Sequence, residues 1–431
     1  MAEEFKIVTD CRVCGADDWL EVYSFGNLPL ANSYLEPDMA TVLEPRYPLE
    51  VIHCRSCALM SLRHVVDPTT LYRDYSYVTS DSRMISNHMN TIAQQCVRRY
   101  DVPSGGLVVE MGSNIGTQLV TFQDLGMRVL GIDPAENLGP VAEGLGIPTL
   151  SEFFSPQLAA DVVARHGRAH LLLGRHVFAH IDDLHDVLRG ALTLLAPGGV
   201  FVIEVPHLLT MLQQNQFDTI YHEHLSYFSV STLCRLFLRN GLRIVDVQRA
   251  DVHGGSILVF AAPQESRWVT QPSVANVLQD EEAFGLDNAG TYRQFAERID
   301  RTTTSLNELV ASLVQDGKTI AGYGAPAKGN TLLNICDLRQ DAISFCSDTT
   351  KGKQGLLLPG VHIPITSPEW ARDNPPHYYL LLAWNYAREI SMKEFAFLAD
   401  GGKFIVPIPD VVTLSADVLV DEFFRGLASG R

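Results

Sequence analysis

The sequence predicts an α/β protein in which a small cysteine-rich module precedes two nucleotide-type folds, and three observations predict it. The order apolar strand, glycine turn, helix, acid-ended strand occurs twice, from Leu107 to Asp133 and again from Thr319 to Asp348. Two CxxC pairs fall within the first 57 residues. The length, 431 residues, is too great for one compact core, and at about 150 residues per domain it implies two to three.

The first zone, 1–80, is rich in turns and aromatics and holds Cys11-Arg12-Val13-Cys14 and Cys54-Arg55-Ser56-Cys57. A CxxC knuckle aims two thiolates at one ion, and two knuckles complete a tetrahedral Zn²⁺ site. With Cys11, Cys14, Cys54 and Cys57 all as ligands no position is left for substrate, so the expected zinc is structural. The alternatives are four reduced thiols or redox pairs.

The central zone, 81–290, alternates strands and helices. Leu107-Val108-Val109-Glu110 reads as a short strand, Met111-Gly112-Ser113-Asn114-Ile115-Gly116 as the turn, and Val129 to Asp133 as a second strand ending in an acid about 20 residues on, where a carboxylate accepts ribose hydroxyls. Glycine is expected to let the turn approach a ligand. Leu171 to Leu173 and Val200 to Ile203, the latter after a Pro197-Gly198-Gly199 turn, supply further strands. Glu110, Gly112, Asn114, Gly116 and Asp133 are thus the candidate cofactor residues. The pattern fits NAD, a flavin or S-adenosylmethionine; a dinucleotide's pyrophosphate favours GxGxxG at the helix start, which GSNIG lacks, so S-adenosylmethionine is preferred.

Tyr221-His222-Glu223-His224-Leu225-Ser226-Tyr227-Phe228-Ser229 is a dense polar and aromatic cluster. It reads as half a metal site, as a polar turn, or as acid/base machinery, in which a carboxylate raises the basicity of a neighbouring imidazole; the last is preferred. His180 follows the Leu171–Leu173 strand at the carboxyl edge where open α/β sheets place ligands, and His253 opens an HGGS segment.

The last zone, 291–431, begins helical and continues into Thr319-Ile320-Ala321-Gly322-Tyr323-Gly324-Ala325-Pro326-Ala327-Lys328-Gly329-Asn330, with a strand expected from Ala342 to Cys346 before Asp348. It is Rossmann-like in outline. Proline in the turn removes an N–H that a phosphate would use, so three roles stay open: a dinucleotide site, a seat for the substrate's nucleotide with Lys328 near its phosphates, and a packing scaffold.

With 33 Lys and Arg against 50 Asp and Glu, the net charge of −17 repels phosphate backbones and anionic surfaces, so neither nucleic acid nor membrane is an expected partner. No signal peptide or apolar span of about 18 residues is visible, and eight sparse cysteines do not form a disulfide framework; a reducing cytoplasm is expected.

The cysteine knuckles, VVEMGSNIGTQL, HVFAHIDDL, YHEHLSYFS, HGGS, GYGAPAKGNTLLN, LLAWN and FIVPIP occur in an order that resembles the nucleotide-sugar C-methyltransferases of deoxysugar biosynthesis, over nearly the whole chain. The resemblance implies a Rossmann-like S-adenosylmethionine methyltransferase domain between a small N-terminal zinc-binding domain and a second, C-terminal Rossmann-like domain that contacts the substrate nucleotide. It implies C-methylation, at carbon 3, of a thymidine-diphosphate 4-keto-6-deoxysugar during biosynthesis of a glycosylated natural product such as an antibiotic. It makes His224 the base, Glu223 its orienting group, His180 and Tyr221 supports of the enolate, and His222 the rival base. The segment DYSYVTSDS resembles the family's lid, which makes Tyr75 and Tyr77 substrate contacts beside His253 and Lys328. A monomer or weak homo-oligomer is expected. The alternatives kept are a C-5 methyltransferase, a nicotinamide-dependent sugar ketoreductase, and a noncatalytic zinc-binding interaction protein.

Overall fold

A computed structural model of the protein describes residues 5–79 and 83–418. Residues 80–82, the end of the tyrosine-bearing segment, and 419–431 of the last zone lie outside the described residues. By backbone contacts the chain forms two compact units: Met1–Tyr23, Glu50–Met211 and Glu223–Thr291 make the first, and Ser24–Leu49, Leu212–His222 and Tyr292–Arg431 the second.

The first unit is built on a seven-stranded sheet in the order Leu242–Ala250, Ser256–Pro263, Leu195–Pro206, Ala169–Arg175, Leu107–Met111, Arg128–Ile132, Thr149–Leu150. Ser256–Pro263 runs antiparallel to both its neighbours, and the other adjacent pairs are parallel. Strands covered on both faces must be apolar throughout, which is why Leu171–Leu173 and Val200–Ile203 read as unbroken apolar runs. Alternate residues feed two cores. Val109, Leu172, Phe201 and Ile203 meet the helices Pro156–His166, Leu184–Leu194 and Val230–Arg239, while Val108, Leu171, Leu173 and Val202 meet Ile92, Ala93 and Cys96 of the helix Arg83–Arg99. Pro197-Gly198-Gly199 is not a turn before its strand. It lies inside Leu195–Pro206, where the register with the neighbouring strand shifts between Leu195 and Val200.

Two smaller ladders complete the amino-terminal part. Phe5–Ile7 pairs antiparallel with His64–Val66, and Met60–Leu62 lies between Tyr47–Cys54 and the two-residue strand Ser226–Tyr227.

The second unit has a six-stranded sheet in the order Ile365–Thr366, Cys346–Ser347, Ile320–Tyr323, Tyr378–Leu381, Lys403–Val406, Val412–Leu414, parallel except for the last strand. The strand expected over Ala342–Cys346 is shorter. The N–H groups of Ala342 and Ile343 both bond back to the Arg339 carbonyl in a turn, so hydrogen bonding to the neighbouring strand begins only at Ser344, whose N–H donates to the Ile320 carbonyl, and the strand itself spans Cys346–Ser347. No described helix is long and apolar enough to cross a membrane.

Candidate active site

The two cysteine knuckles are built alike. Cys11 N donates to Ala16 O and Cys54 N to Leu59 O, both at 2.8 Å, and left-handed residues Gly15 and Ala58 return their N–H groups to the Cys11 and Cys54 carbonyls. The four Sγ atoms lie within 4.8 Å of one another, with Cys11 3.5 Å from Cys57 and Cys14 3.5 Å from Cys54. Zn–S bonds of about 2.3 Å put the corners of a tetrahedron about 3.8 Å apart, so this donor set fits zinc and closes its coordination. Among the described residues no group of metal-ligating side chains forms around His222 and His224.

The central glycine turn begins with Gly112, whose N–H donates to the Ile132 carbonyl at 2.8 Å. Gly112 and Gly116 have φ of +64° and +79°, and a Cβ on them would lie 2.7 Å from Val177 and 2.9 Å from Ile147. Glycine is therefore required here by the protein's own neighbours as well as by the backbone, a pressure the sequence did not reveal. Asn114 N donates to Asp133 Oδ2 at 2.7 Å and Ala135 N to Oδ1 at 2.9 Å. Each oxygen keeps a second lone pair for a ribose hydroxyl. Burial raises the Asp133 carboxyl and these two N–H groups oppose it. Glu110 is buried below the turn; burial raises it to about 8 against the pull of Arg175, and its Oε2 has no hydrogen-bond partner. An unsatisfied carboxyl oxygen beside a ribose-type acceptor fits a nucleoside cofactor carrying donor groups, as S-adenosylmethionine does.

Tyr75 and Tyr77 occupy irregular backbone tied to this turn. Asn114 Nδ2 donates to the Tyr77 carbonyl, Thr79 N donates to Asn114 Oδ1, and Tyr75 exchanges backbone hydrogen bonds with the Asn137 amide, all at 3.0 Å. The Tyr75 hydroxyl then donates to Glu223 Oε2 at 2.7 Å. One segment thus joins the candidate cofactor turn to the candidate catalytic cluster.

That cluster brings His180 and His224 together with ring centroids 5.0 Å apart. Tyr72 stacks on His180 at 5.8 Å and its hydroxyl donates to the Glu223 carbonyl at 3.3 Å; Tyr227 meets His224 edge-on at 6.5 Å. Burial, then the charges of His224 and His176, push His180 well below the usual histidine range, so it is neutral at pH 7. His253, with φ of +53°, lies edge-on to His176 at 4.5 Å.

Sequence reasoning missed several neighbours. Glu204 is fully buried and accepts from Arg175 Nε at 2.8 Å and pairs with His88 Nε2 at 2.6 Å. Burial alone would raise it, but Arg175, followed by His176 and His88, hold it well below the carboxylate range. His176 is pushed down to about 4, chiefly by burial. Arg175 ends the strand Ala169–Arg175 and His176 follows it, and that position at the carboxyl edge was the signal available. Tyr72 carried none.

Tyr221 and His222 belong to the second unit, where they border a small cavity of about 10 Å³ with Leu28, Leu49, Asn330 and Thr331. His222 is buried, its Nε2 lies 3.1 Å from the Tyr47 carbonyl and its ring 5.9 Å from that of Tyr47. Lys328 sits 4.6 Å over the Trp384 ring and donates to Asn385 Oδ1. Burial lowers its amine to about 8 while Asp218 opposes; burial raises Asp218 to about 6, Lys328 and the Trp384 N–H opposing.

Comparison with known proteins gives the family. Residues 11–72 match the family described as "Putative zinc binding domain", 88–247 "Methyltransferase domain" and 251–409 "C-methyltransferase C-terminal domain". The C-methyltransferase NovU of Streptomyces niveus is 51% identical over 417 residues, 97% of this chain and 99% of that one. The ubiquinone biosynthesis O-methyltransferase of Methylobacterium sp. (strain 4-46) is 34% identical over 104 residues, 23% of this chain and 41% of that one. Among solved structures, magnesium protoporphyrin IX methyltransferase of Synechocystis PCC 6803 with bound S-adenosylmethionine matches 44% of this chain and 88% of its own at 12% identity, with a TM-score of 0.33. On identity that extends over almost the entire length of both chains, and on three matching domains in the same order, this chain belongs to the family of S-adenosylmethionine-dependent C-methyltransferases with a zinc-binding amino-terminal module.

Proposed function

We propose that the chain methylates carbon 3 of a thymidine-diphosphate 4-keto-6-deoxysugar, through an enolate stabilised by the 4-ketone, in deoxysugar biosynthesis of a glycosylated natural product. The observation that carries this reading is the gathering of His180, His224 and Glu223 at the carboxyl edge, with Tyr75 linking Glu223 to the candidate cofactor turn. A carbon beside a ketone becomes nucleophilic once its proton is removed, and these are the groups such chemistry needs.

In this reading a neutral His224 nitrogen takes the carbon 3 proton, the C–H electron pair becomes the C3–C4 double bond, and charge moves onto the carbonyl oxygen. Neutral His180 donates a hydrogen bond to that oxygen, and Tyr221 is assigned to proton handling. Glu223, held by Tyr75, orients His224. S-adenosylmethionine, when bound through Asp133, Glu110 and the Gly112–Gly116 turn, supplies an electrophilic methyl group on a sulfonium. With the cofactor bound, the nucleophilic carbon would take that methyl group as the sulfonium C–S bond breaks, the electron pair staying on sulfur in S-adenosylhomocysteine; the carbonyl re-forms, and His224 returns its proton to solvent. His222 is the rival base. Tyr77, His253 and Lys328 are assigned to substrate, Lys328 to the nucleotide phosphates within the carboxy-terminal domain.

The test is incubation with labelled S-adenosylmethionine and a panel of nucleotide 4-ketosugars, with NMR of the product. A new methyl signal on carbon 3 is expected. Methylation at carbon 5 or on a heteroatom, or NADPH-dependent reduction of the ketone, overturns the assignment.

A further inference from the structure

The first cysteine knuckle carries a buried arginine that zinc binding and methyl transfer have not so far used. Arg12 stands between Cys11 and Cys14 with its side chain almost fully withdrawn from solvent. A buried guanidinium is costly unless its donors find acceptors, so where they point is informative. Nη1 donates to the Leu225 carbonyl at 2.5 Å and to Ser61 Oγ at 2.7 Å, with Ser226 Oγ at 3.4 Å, and Nη2 donates to Asp182 Oδ1 at 3.2 Å.

Leu225 directly follows His224, and Asp182 is two residues after His180. One planar fork therefore holds the chain immediately behind both imidazoles. The Leu225 carbonyl is fixed further by Ser61 Oγ and Leu62 N, each at 3.0 Å, and Ser226–Tyr227 pairs with Met60–Ser61, three residues beyond Cys57. Asp182 also accepts from Lys6 at 2.7 Å. Guanidinium suits this joint because its donors leave one rigid plane in several directions, whereas a lysine ammonium is a single point on a flexible stem.

We propose that Arg12 is a positioning residue for methyl transfer: from the zinc-binding knuckle it sets the spacing of His180 and His224. This rests on the reading above in which those two histidines act on the acceptor. A displacement of about 1 Å is enough to cost on the order of 100-fold in rate, so the joint matters without touching substrate.

The experiment uses the full zinc-loaded chain with Arg12→Lys, Asp182→Asn and, as a control, His224→Ala. Asp182 is a third exposed, so its change spares the fold if Arg12→Lys does not. Four quantities are read: zinc per chain, S-adenosylhomocysteine affinity by calorimetry, kcat and KM with a thymidine-diphosphate 4-keto-6-deoxyhexose together with cofactor-free exchange of its carbon 3 proton, and the ring Cε1–H resonances of His180 and His224. Expected are unchanged zinc and cofactor-product affinity, KM within about twofold, and kcat and exchange down about 10- to 100-fold in Arg12→Lys and less in Asp182→Asn. Both ring resonances move. Full kcat with unmoved resonances overturns the proposal, as does a loss that appears only together with loss of zinc. If His224→Ala still exchanges the proton, or the unmodified chain neither exchanges nor methylates, the functional reading fails instead. The ring resonances, which need no substrate, then decide the role of Arg12: moved rings support it and unmoved rings overturn it.

Discussion

The two glycine turns, one in each unit, use the same backbone device for different surroundings. In the first, Gly112 N donates to Ile132 O at 2.8 Å and Asn114 N to Asp133 Oδ2 at 2.7 Å; in the second, Gly324 N donates to Ser347 O at 2.8 Å and Ala325 N to Asp348 Oδ2 at 2.7 Å. The device closes a parallel strand onto its acid-ended neighbour, and each fold needs that closure whatever it binds. What differs is the next layer. Around the first turn stand Glu110, its carboxyl raised to about 8 by burial, and the amide of Asn114 holding the Tyr77 and Thr79 backbone. Around the second, Ala325 has only a methyl group to offer, its carbonyl already accepts from Tyr34 at 2.8 Å and Lys353 at 2.9 Å, and Pro326 starts the helix without an N–H. The acid-ended strand identifies a turn, and only the charges and donors around it identify a ligand.

The sharpest way to break the contrast is between neighbouring histidines assigned to different units. His224→Ala is expected to stop methylation and the cofactor-free exchange of the carbon 3 proton, a loss on the order of 100- to 10,000-fold. His222→Ala, whose ring is engaged with Tyr47, should retain the exchange. Deuterium incorporation followed by NMR checks both, and exchange lost only in the His222 variant would transfer the base role to it.

What was legible in the sequence divides along the same line. Patterns local in the chain were readable: the CxxC pairs, the apolar runs of the seven-stranded sheet, and the acids Asp133 and Asp348 at their strand ends. Patterns made by long-range packing were not. Nothing in the spacing shows that Arg12 meets Leu225, that His88 meets Glu204 across 116 positions, or that Tyr72 stacks on His180. The glycines were legible as a turn, but the pressure of Val177 and Ile147 on Gly112 and Gly116 belongs to tertiary packing. The strand at Cys346–Ser347 was overextended because Ala342 and Ile343 have strand-like surroundings in sequence while their N–H groups close a turn on Arg339.

The next effect in size sets the two acids against each other. Asp133→Ala should weaken S-adenosylmethionine by about 1.5–3 kcal/mol, the range for hydrogen bonds to a charged group, while Asp348→Ala leaves it unchanged. Isothermal calorimetry reads both. Equal weakening would mean that the carboxylates act through stability of the chain rather than through the ribose; weakening by Asp348→Ala alone would move the cofactor to the second turn.

The smallest effect is a pH dependence confined to the second unit. Lys328 has its amine lowered from the ordinary 10.5 to about 8 by burial, so the folded chain gives up that proton more readily than the unfolded one. Below pH 8 the buried charge costs stability; between about 8 and 10.5 the unfolded chain holds more protons, so stability of the unit rises with pH across that window. Anion binding runs the other way, because a phosphate needs the protonated amine. Thymidine diphosphate affinity should therefore fall by roughly tenfold as pH rises past 8, in keeping with about 1.5 kcal/mol for one charge-assisted contact. Lys328→Met should start weaker and lack that decline, with S-adenosylmethionine affinity untouched at every pH. Calorimetric titration of both ligands from pH 6.5 to 9.5, on the unmodified chain and the variant, gives the four curves. A decline that persists in Lys328→Met would take the phosphate contact away from Lys328 and leave its contacts with Trp384 and Asn385 as a packing device of the second unit alone.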